Sequence, residues 1–329
     1  MGTLCRATYG EGEEGVSALI AKTQALARAI SKEDDMRRVL VPLDGTDLST
    51  EILEDAIRLA GPDGELVLTY EVRRASGRAA AIYDPVADTE EARQYLNGVA
   101  EGLRARGVTV TTSAGLTFHV PAAIGETART QDVDMIACAT HGRGAVGGFL
   151  WGSVAWKVLA NSPVPVLLRH PVRTSPPDPS GAHRLMVPLD GSRLAEKALP
   201  LAQDLAVEWR APIHLVLVLQ SADVKASGAS MGEYLIRVKD SLSGEVRTHL
   251  LVGSAVEELT AFAQGAGITD VVMTTHGRAG LSRVFVGSVA HELIRRLPLP
   301  VIVIPALATT VAARRESVEA EKTPATVGS

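Results

Sequence analysis

Two glycine–serine pairs, each leading into a helical pattern, are the residues of this chain best suited to contact phosphate. In each pair nine residues separate two glycines, and a serine follows the second glycine. Free backbone N–H groups at the start of a helix attract anions, and glycine lets the backbone approach a ligand closely. The serine hydroxyl adds a donor there or serves as an ordinary N-cap. The repeated spacing is carried by Gly142, Gly152 and Ser153, and again by Gly277, Gly287 and Ser288.

The second candidate is an aspartate that directly follows a short apolar strand pattern. The block VPLDG occurs at Val41–Gly45 and recurs unchanged at Val187–Gly191. In an open parallel sheet, ligands bind beyond the carboxyl ends of the strands, where Asp44 or Asp190 can accept hydrogen bonds from ribose hydroxyls or an adenine amine. The alternative is a turn or helix cap, since Asp-Gly followed by Thr or Ser starts turns. The identical repetition favours a site.

Other chemistries fit the sequence less well. Gly142–Gly147 matches G-x-G-x-x-G, but it follows the fourth strand and the second copy breaks the pattern, which argues against a dinucleotide site. His141 and His276 have no evident nucleophile or acid partner and are interpreted as turn residues. Arg143 and Arg278 are interpreted as solvated, with phosphate contact as the alternative. We find neither a nucleophile–base pair nor a carboxylate cluster for a metal.

Composition excludes several classes of protein. The 329 residues fit two domains, and with 46% hydrophobic and 22% charged residues each can fill an aliphatic core. A net charge of −5 without a basic cluster argues against a nucleic-acid partner. Two cysteines without metal or disulfide spacing, no apolar run long enough to span a membrane and no secretory leader predict a soluble, cytoplasmic protein, with Cys138 as a buried apolar residue.

The motifs recur in the same order, so the chain is a tandem repeat. The offset is 146 at the aspartates (190 − 44) and 135 at the loop glycines (277 − 142), which predicts that the second copy is shorter around its second strand and second helix. Strands alternate with helices in both copies, which predicts two tandem open five-stranded parallel-sheet domains, Rossmann-like, with helices on both faces. The predicted segments are an N-terminal extension with one helix (1–36), domain 1 (37–172), a linker (173–182), domain 2 (183–305) and a mobile tail (306–329).

Ten strands are expected from short apolar runs. They are Arg38–Leu43, Glu65–Val72, Val108–Ala114, Asp134–Ala139 and Val164–Arg169 in the first copy, and Arg184–Leu189, Ile213–Leu219, Val246–Val252, Asp270–Thr274 and Val301–Ile304 in the second. Helical spacing predicts helices in the first copy at Ser49–Ala60, Glu90–Arg106, Val120–Thr130 and Ser153–Ala160.

Over residues 37–170 and 183–305 the chain resembles the universal stress protein (UspA-like) superfamily in its tandem form. ATP-binding members of that family carry G-x2-G-x9-G-[ST]. The resemblance implies an adenine nucleotide alpha hydrolase-like fold and domains that pair through their last strands, within one molecule or between two. It also implies nucleotide contacts at Pro42, Asp44, Ala139, Gly142, Gly152, Ser153 and Val154, and at Pro188, Asp190, Thr274, Gly277, Gly287, Ser288 and Val289.

The first glycine of the family motif is replaced in both copies, by Ala139 and by Thr274. Thr is β-branched and bulkier than Ala where the backbone should approach the ligand, so domain 1 is expected to bind ATP better. We therefore expect a regulatory protein that binds ATP with Mg²⁺, is not an enzyme beyond slow ATP hydrolysis, pairs its two domains intramolecularly and forms a homodimer. The alternatives are a nucleotide-independent dimeric scaffold and, third, a weak ATP hydrolase.

Overall fold

The computed structural model describes residues 37–75, 84–140, 153–169, 181–221, 224–275 and 287–305. The strands in these ranges are β1 Arg38–Pro42, β2 Glu65–Arg73, β3 Thr109–Thr117, β4 Met135–Ala139, β5 Val166–Arg169, β6 Leu185–Leu189, β7 Ile213–Leu219, β8 Val246–Val252, β9 Asp270–Thr274 and β10 Val301–Ile304. The helices are α1 Asp47–Thr50, α2 Leu53–Ala60, α3 Pro85–Arg104, α4 Val120–Thr130, α5 Ser153–Asn161, α6 Arg193–Glu196, α7 Leu199–Trp209, α8 Val224–Asp240, α9 Ala255–Gly265 and α10 Ser288–Arg296.

The ten strands form one sheet in the order β3-β2-β1-β4-β5-β10-β9-β6-β7-β8. Each half is parallel throughout, and the halves meet through the antiparallel pair β5 and β10, where Leu167 lies opposite Ile302. The predicted α/β fold with two five-stranded parallel sheets is confirmed. The two domains pair through their last strands within one chain.

Two aliphatic cores, one on each face of the sheet, extend through both repeats. Because successive strand residues point to opposite faces, Val39 and Val41 of β1 lie in one core and Leu40 lies in the other. All three are fully buried. The same alternation in β6 explains why a continuous apolar run predicted a strand covered by helices on both faces.

Two helix predictions need correction. The predicted helix Ser49–Ala60 is two helices, because the hydroxyls of Ser49 and Thr50 donate to the carbonyls of Thr46 and Asp47 and so compete with the helical ladder. The helix predicted at Glu90 already begins at Pro85. There the Asp84 carboxylate accepts from two backbone N–H groups and proline occupies the first turn, both of which favour a helix start.

The shortening of the second repeat lies between its second and third strands. Leu66 pairs with Val110 in the first repeat, and their equivalents Ile213 and Val246 pair in the second. These partners are 44 residues apart in the first repeat (110 − 66) and 33 apart in the second (246 − 213). The missing eleven residues therefore fall in the stretch containing α3 and its counterpart α8, as the offset change predicted.

Candidate functional site

The topology defines one crevice in each repeat. From β1 the chain first builds β2 and β3 on one side and later β4 and β5 on the other, so the carboxyl ends of β1 and β4 flank the switch point of the sheet. The ends of β6 and β9 flank the equivalent point. The described residues at these ends are Pro42, Asp44 and Ala139 in domain 1, and Pro188, Asp190 and Thr274 in domain 2. The predicted residues Gly142, Gly152 and Gly277, with His141, Arg143, His276 and Arg278, lie outside the described residues.

Asp44 shapes the turn after β1. Its Oδ1 accepts from the backbone N–H of Thr46 at 3.1 Å and from the Thr46 hydroxyl at 2.6 Å. Thr46 in turn caps α1 by accepting from the N–H of Ser49. Between them Gly45 has a φ of 81°, in the left-handed region where a side chain is strained.

Domain 2 repeats this turn. Oδ1 of Asp190 accepts from the N–H of Ser192 at 2.9 Å, the Ser192 hydroxyl caps α6, and Gly191 has a φ of 83°. The turn interpretation of both aspartates is therefore confirmed, and it gives the repeated Asp-Gly a structural reason. A ligand contact by these carboxylates is a separate role that stays a prediction.

The helices α5 and α10 begin at the serines that follow the predicted glycine loops. Gly287 is the N-cap of α10, so Ser288 is the first helical residue and its hydroxyl does not cap the helix. Ser153 likewise opens α5, and both serines are exposed. Val154 is exposed and Val289 is half-buried. An exposed hydroxyl beside helix N–H groups fits a phosphate, while Mg²⁺ would be held chiefly by phosphate oxygens and water.

The residue after the fourth strand of each repeat is hydrogen-bonded to the last strand of the same repeat. The N–H and the hydroxyl of Thr140 both donate to the carbonyl of Arg169, at 3.1 and 3.0 Å. The N–H of Thr275 donates to the carbonyl of Ile304 at 3.1 Å. Ala139 and Thr274, just before these anchors, are half-buried at the ends of β4 and β9. The backbone at these two positions therefore cannot move away without disturbing the sheet.

Sequence reasoning missed the side chains that β2 contributes beside the crevice of domain 1. The Tyr70 hydroxyl donates to the carbonyl of Asp44 at 3.1 Å, and the Tyr70 ring packs edge-on against Tyr95 at 5.9 Å. The next residue, Glu71, is half-buried and accepts from two threonine hydroxyls. The signal was a carboxylate within an otherwise apolar strand pattern.

Other predictions concern groups that are not at the crevice. Cys138 is buried in β4, where burial raises the pKa of its thiol to about 12, so it is the inert apolar residue that was predicted. Among the described residues no group of three or more His, Cys, Asp or Glu is arranged to hold a metal ion. None of the helices within the described ranges is both long and apolar enough to span a membrane.

The sequence model of the universal stress protein family matches this chain twice, at residues 36–170 and 181–305. The chain belongs to the universal stress protein family. The protein is 25% identical over 137 residues to universal stress protein MJ0531 of Methanocaldococcus jannaschii, an alignment covering 37% of this chain and 81% of that protein. It is 27% identical over 187 residues to universal stress protein Rv2005c of Mycobacterium tuberculosis. That alignment covers 53% of this chain and 62% of the mycobacterial protein, so less than two thirds of that relative is matched.

Solved structures support the same fold. A universal stress protein from Archaeoglobus fulgidus superposes with a TM-score of 0.65 at 23% identity, covering 82% of this chain and 98% of that chain. A functionally unknown protein from Pseudomonas aeruginosa PAO1 superposes with a TM-score of 0.61 at 20% identity, covering 88% and 98%. In both cases the likeness extends over most of the two repeats, so these two solved chains share the fold of both domains.

Proposed function

We propose that this universal stress protein is a non-catalytic regulator that binds ATP at the crevice of domain 1. The observation that carries the proposal is a recurring arrangement. In both repeats an Asp-Gly turn ends the first strand, the neighbouring fourth strand leads into a glycine loop, and an exposed serine opens the helix after that loop. Helix N–H groups suit the phosphates, and a carboxylate at the strand end suits ribose or adenine donors.

Domain 1 is proposed as the tighter site. Ala139 adds a single methyl at the position where the family motif has glycine, whereas Thr274 adds a branched side chain. The adjacent threonines anchor the backbone at both positions, so the backbone that carries the Thr274 side chain has little freedom to withdraw from an incoming nucleotide. ATP with Mg²⁺ is therefore expected to fill domain 1 first.

Calorimetry and thermal unfolding with MgATP test the proposal. In domain 1, Gly142→Val places a branched side chain at a loop glycine and Ser153→Ala removes the serine hydroxyl. Gly277→Val with Ser288→Ala is the matched pair in domain 2. We expect the domain 1 pair to abolish the tighter binding and the domain 2 pair to leave it intact. Wild-type protein at ATP a hundredfold above Kd should gain about 2.7 kcal/mol in free energy of unfolding.

A third variant separates the role of Asp44 in the turn from its predicted contact with the ligand. Asp44→Asn keeps an oxygen that can accept from the Thr46 N–H and removes the negative charge. We expect it to weaken ATP binding without lowering the melting temperature of the unliganded protein. Equal affinity of two sites per chain would end the preference for domain 1.

Two other functions remain as outcomes of the same measurements. If ATP neither binds nor raises the melting temperature, the protein is a scaffold that uses the fold without nucleotide. Phosphate release that the domain 1 pair abolishes would favour a weak ATP hydrolase. A homodimer of the whole chain is a separate prediction, checked by its mass in solution with and without ATP.

A further inference from the structure

The two domains are related by an approximate two-fold axis that passes between β5 and β10. Leu167 and Ile302, which lie opposite each other there, hold the same position in their repeats. On one face of the sheet Trp156 of α5 packs edge-on against His291 of α10 at 4.9 Å, and these are again equivalent residues. A surface arranged about such an axis can in principle pair with an identical copy of itself.

The other face of the sheet carries a buried charge cluster that crosses the same junction. Arg58 of α2 forms an ion pair with Asp270 of β9, with Nη2 and Oδ1 2.7 Å apart. Arg58 also pairs with Asp55 at 3.1 Å, and Asp55 pairs with Arg169 at 2.5 Å. The side chains of Asp55 and Asp270 are 0% and 1% exposed, and those of Arg58 and Arg169 are 13% and 9% exposed.

Further contacts between the domains surround this cluster. The guanidinium of Arg58 lies 4.6 Å from the ring centroid of Trp209 in domain 2. Arg37 of domain 1 forms a 2.8 Å ion pair with Glu208 of domain 2. Burial alone would raise the pKa of the Asp270 carboxyl, but His183 and Arg58 outweigh it and the pKa is lowered. Both members of the Arg58–Asp270 pair are thus charged, and each needs the other, because a buried charge without a counter-ion is strongly unfavourable.

The cluster does not obey the two-fold symmetry. Arg58 is the sixth residue of α2, and the sixth residue of α7 is Asp204. Asp270 opens β9, and the residue that opens β4 is Met135. Two copies of domain 1 paired through β5 would bring each Arg58 against a fully buried Met135. Two copies of domain 2 paired through β10 would bring Asp270 toward Asp204, a charge of the same sign.

The other two residues of the charge cluster have uncharged counterparts in domain 2. Asp55 corresponds to Leu201, the third residue of its helix, and Arg169 corresponds to Ile304, the last residue of its strand. Both are buried apolar residues. At these equivalent positions domain 2 therefore has no charges that could replace the acid–base set of domain 1.

We infer that the Arg58–Asp270 cluster is a recognition device that makes the α2–β5 surface of domain 1 accept domain 2 and reject a second copy of domain 1. The partner that this surface fits is an apolar strand edge with a buried carboxylate placed to meet Arg58. Pairing through β5 and β10 therefore joins domain 1 to domain 2 and does not join two copies of the same domain.

Two full-length single variants, Arg58→Glu and Asp270→Arg, test the inference. Each alone places like charges at the junction within its own chain. Together they offer two complementary junctions between chains. At one junction the glutamate introduced at position 58 meets the arginine introduced at position 270 of the other variant, and at the second junction the remaining domains carry the wild-type pair. We expect each variant alone to have a lower melting temperature than the wild type. Co-expression should give a 1:1 heterodimer of twice the 34.6 kDa chain mass, detected by native mass spectrometry.

The controls separate recognition from a merely structural effect. Differently tagged wild-type chains report the mixed dimers that form through the separately predicted homodimer, and the co-expressed variants should exceed that level. Glu54→Arg co-expressed with Arg106→Glu should not exceed it, since these two variants reverse an ion pair of the same 2.7 Å length whose side chains are half exposed. The double variant Arg58→Glu/Asp270→Arg in one chain should have the same mass in solution as the wild type and a melting temperature close to it.

If the single variants do not fold alone, recovery by co-expression or in the double variant still supports the inference. Absence of both recoveries overturns it. The inference is also overturned if the wild-type control or the Glu54–Arg106 control gives heterodimers at the same level. It is overturned as well if the single variants have the same melting temperature as the wild type.

Discussion

The face of the sheet under α4 in domain 1 and the face under α9 in domain 2 hold different polar chemistry. In domain 1, Glu71 of β2 lies on the face of the sheet under α4. Its Oε1 accepts from the hydroxyls of Thr69 at 3.1 Å and Thr127 at 3.3 Å. In domain 2 the same layer holds a histidine pair: Nδ1 of His214 lies 3.1 Å from Nε2 of His249, and the rings stack at 5.2 Å.

The side chains around these groups have changed together. Thr127, the eighth residue of α4, corresponds to Phe262 in α9, whose ring lies 4.5 Å from that of His249. The strand pair Glu71 and Gly115 corresponds to Val218 and Leu251. One backbone thus holds either a carboxylate with hydroxyl donors or an imidazole pair with an aromatic neighbour. The aliphatic cores and the Asp-Gly turns specify the fold, and the polar residues between them are free to diverge as matched sets.

The two repeats differ most in charge at the domain junction. Substitutions there should have the largest effect on the free energy of unfolding. Asp55→Leu introduces the residue that domain 2 has at this position and leaves Arg169 buried without its carboxylate. We expect a loss of about 3–5 kcal/mol in the free energy of unfolding, measured by urea denaturation. Adding Arg169→Ile, the domain 2 residue at that position, should recover most of the loss, because matched apolar replacement of a buried pair is close to neutral.

An exposed pair provides the control for Asp55. Glu54→Ala removes the partner of Arg106 at a half-exposed site and should cost less than about 1 kcal/mol. A cost for Asp55→Leu as small as this, or a double variant no more stable than the single one, would show that the charges at the junction are not matched as a set.

The histidine pair predicts an acid sensitivity that belongs to domain 2. Burial lowers the pKa of His214, and His249 and Arg247 lower it further; burial and then Arg247 lower the pKa of His249. The unfolded chain therefore binds more protons than the folded one as the pH falls below about 6.5, the ordinary histidine pKa, and stability present above that pH is lost. Each unit of depression accounts for at most about 1.4 kcal/mol, less where water screens the ring.

His214→Val, which introduces the equivalent Val67 of domain 1, removes one of these groups. Unfolding by urea between pH 7.5 and 5 should show a shallower loss of stability in this variant than in the wild type. His249→Ser, after the equivalent Ser113, should behave similarly. An unchanged pH slope in both variants would place the acid-sensitive groups elsewhere.

The elements that the sequence predicted best are those whose signal is local. Val301–Ile304, which is wholly apolar, and Ile213–Leu219, which is apolar except for His214, are strands with the predicted ends, because a buried parallel strand needs a largely apolar run. The repeated Asp-Gly lies at the end of β1, which the strand order places beside β4, and its role in ligand binding stays a prediction. The helix break after Thr50 was missed because it depends on which carbonyls the Ser49 and Thr50 hydroxyls reach.

The charge cluster could not be predicted from a single sequence. Arg58 and Asp270 lie in different repeats, and each has an ordinary surface residue type for its local pattern. Only the antiparallel joining of β5 and β10 brings them together. The His214–His249 contact similarly depends on the register of β7 and β8, in which Val216 lies opposite His249. Long-range charge pairing follows from tertiary structure and carries no periodicity along the chain.

The smallest predicted effect concerns the space that domain 1 provides for Glu71. A Cβ added to Gly115 would lie 2.4 Å from Oε2 of Glu71, the far end of a flexible side chain. Gly115→Ala should therefore displace the carboxylate, weaken its hydrogen bonds to Thr69 and Thr127, and lower the free energy of unfolding by about 0.5–1.5 kcal/mol. Glu71→Val, the residue of domain 2, removes the obstacle. In that background Gly115→Ala should cost nothing measurable, so the double-mutant cycle should give a coupling energy of about the single-variant loss. Additive effects would mean that the glycine at position 115 is needed for the conformation or packing of β3 and not to leave space for the Glu71 side chain. The difference between the repeats at these two positions would then not be coupled.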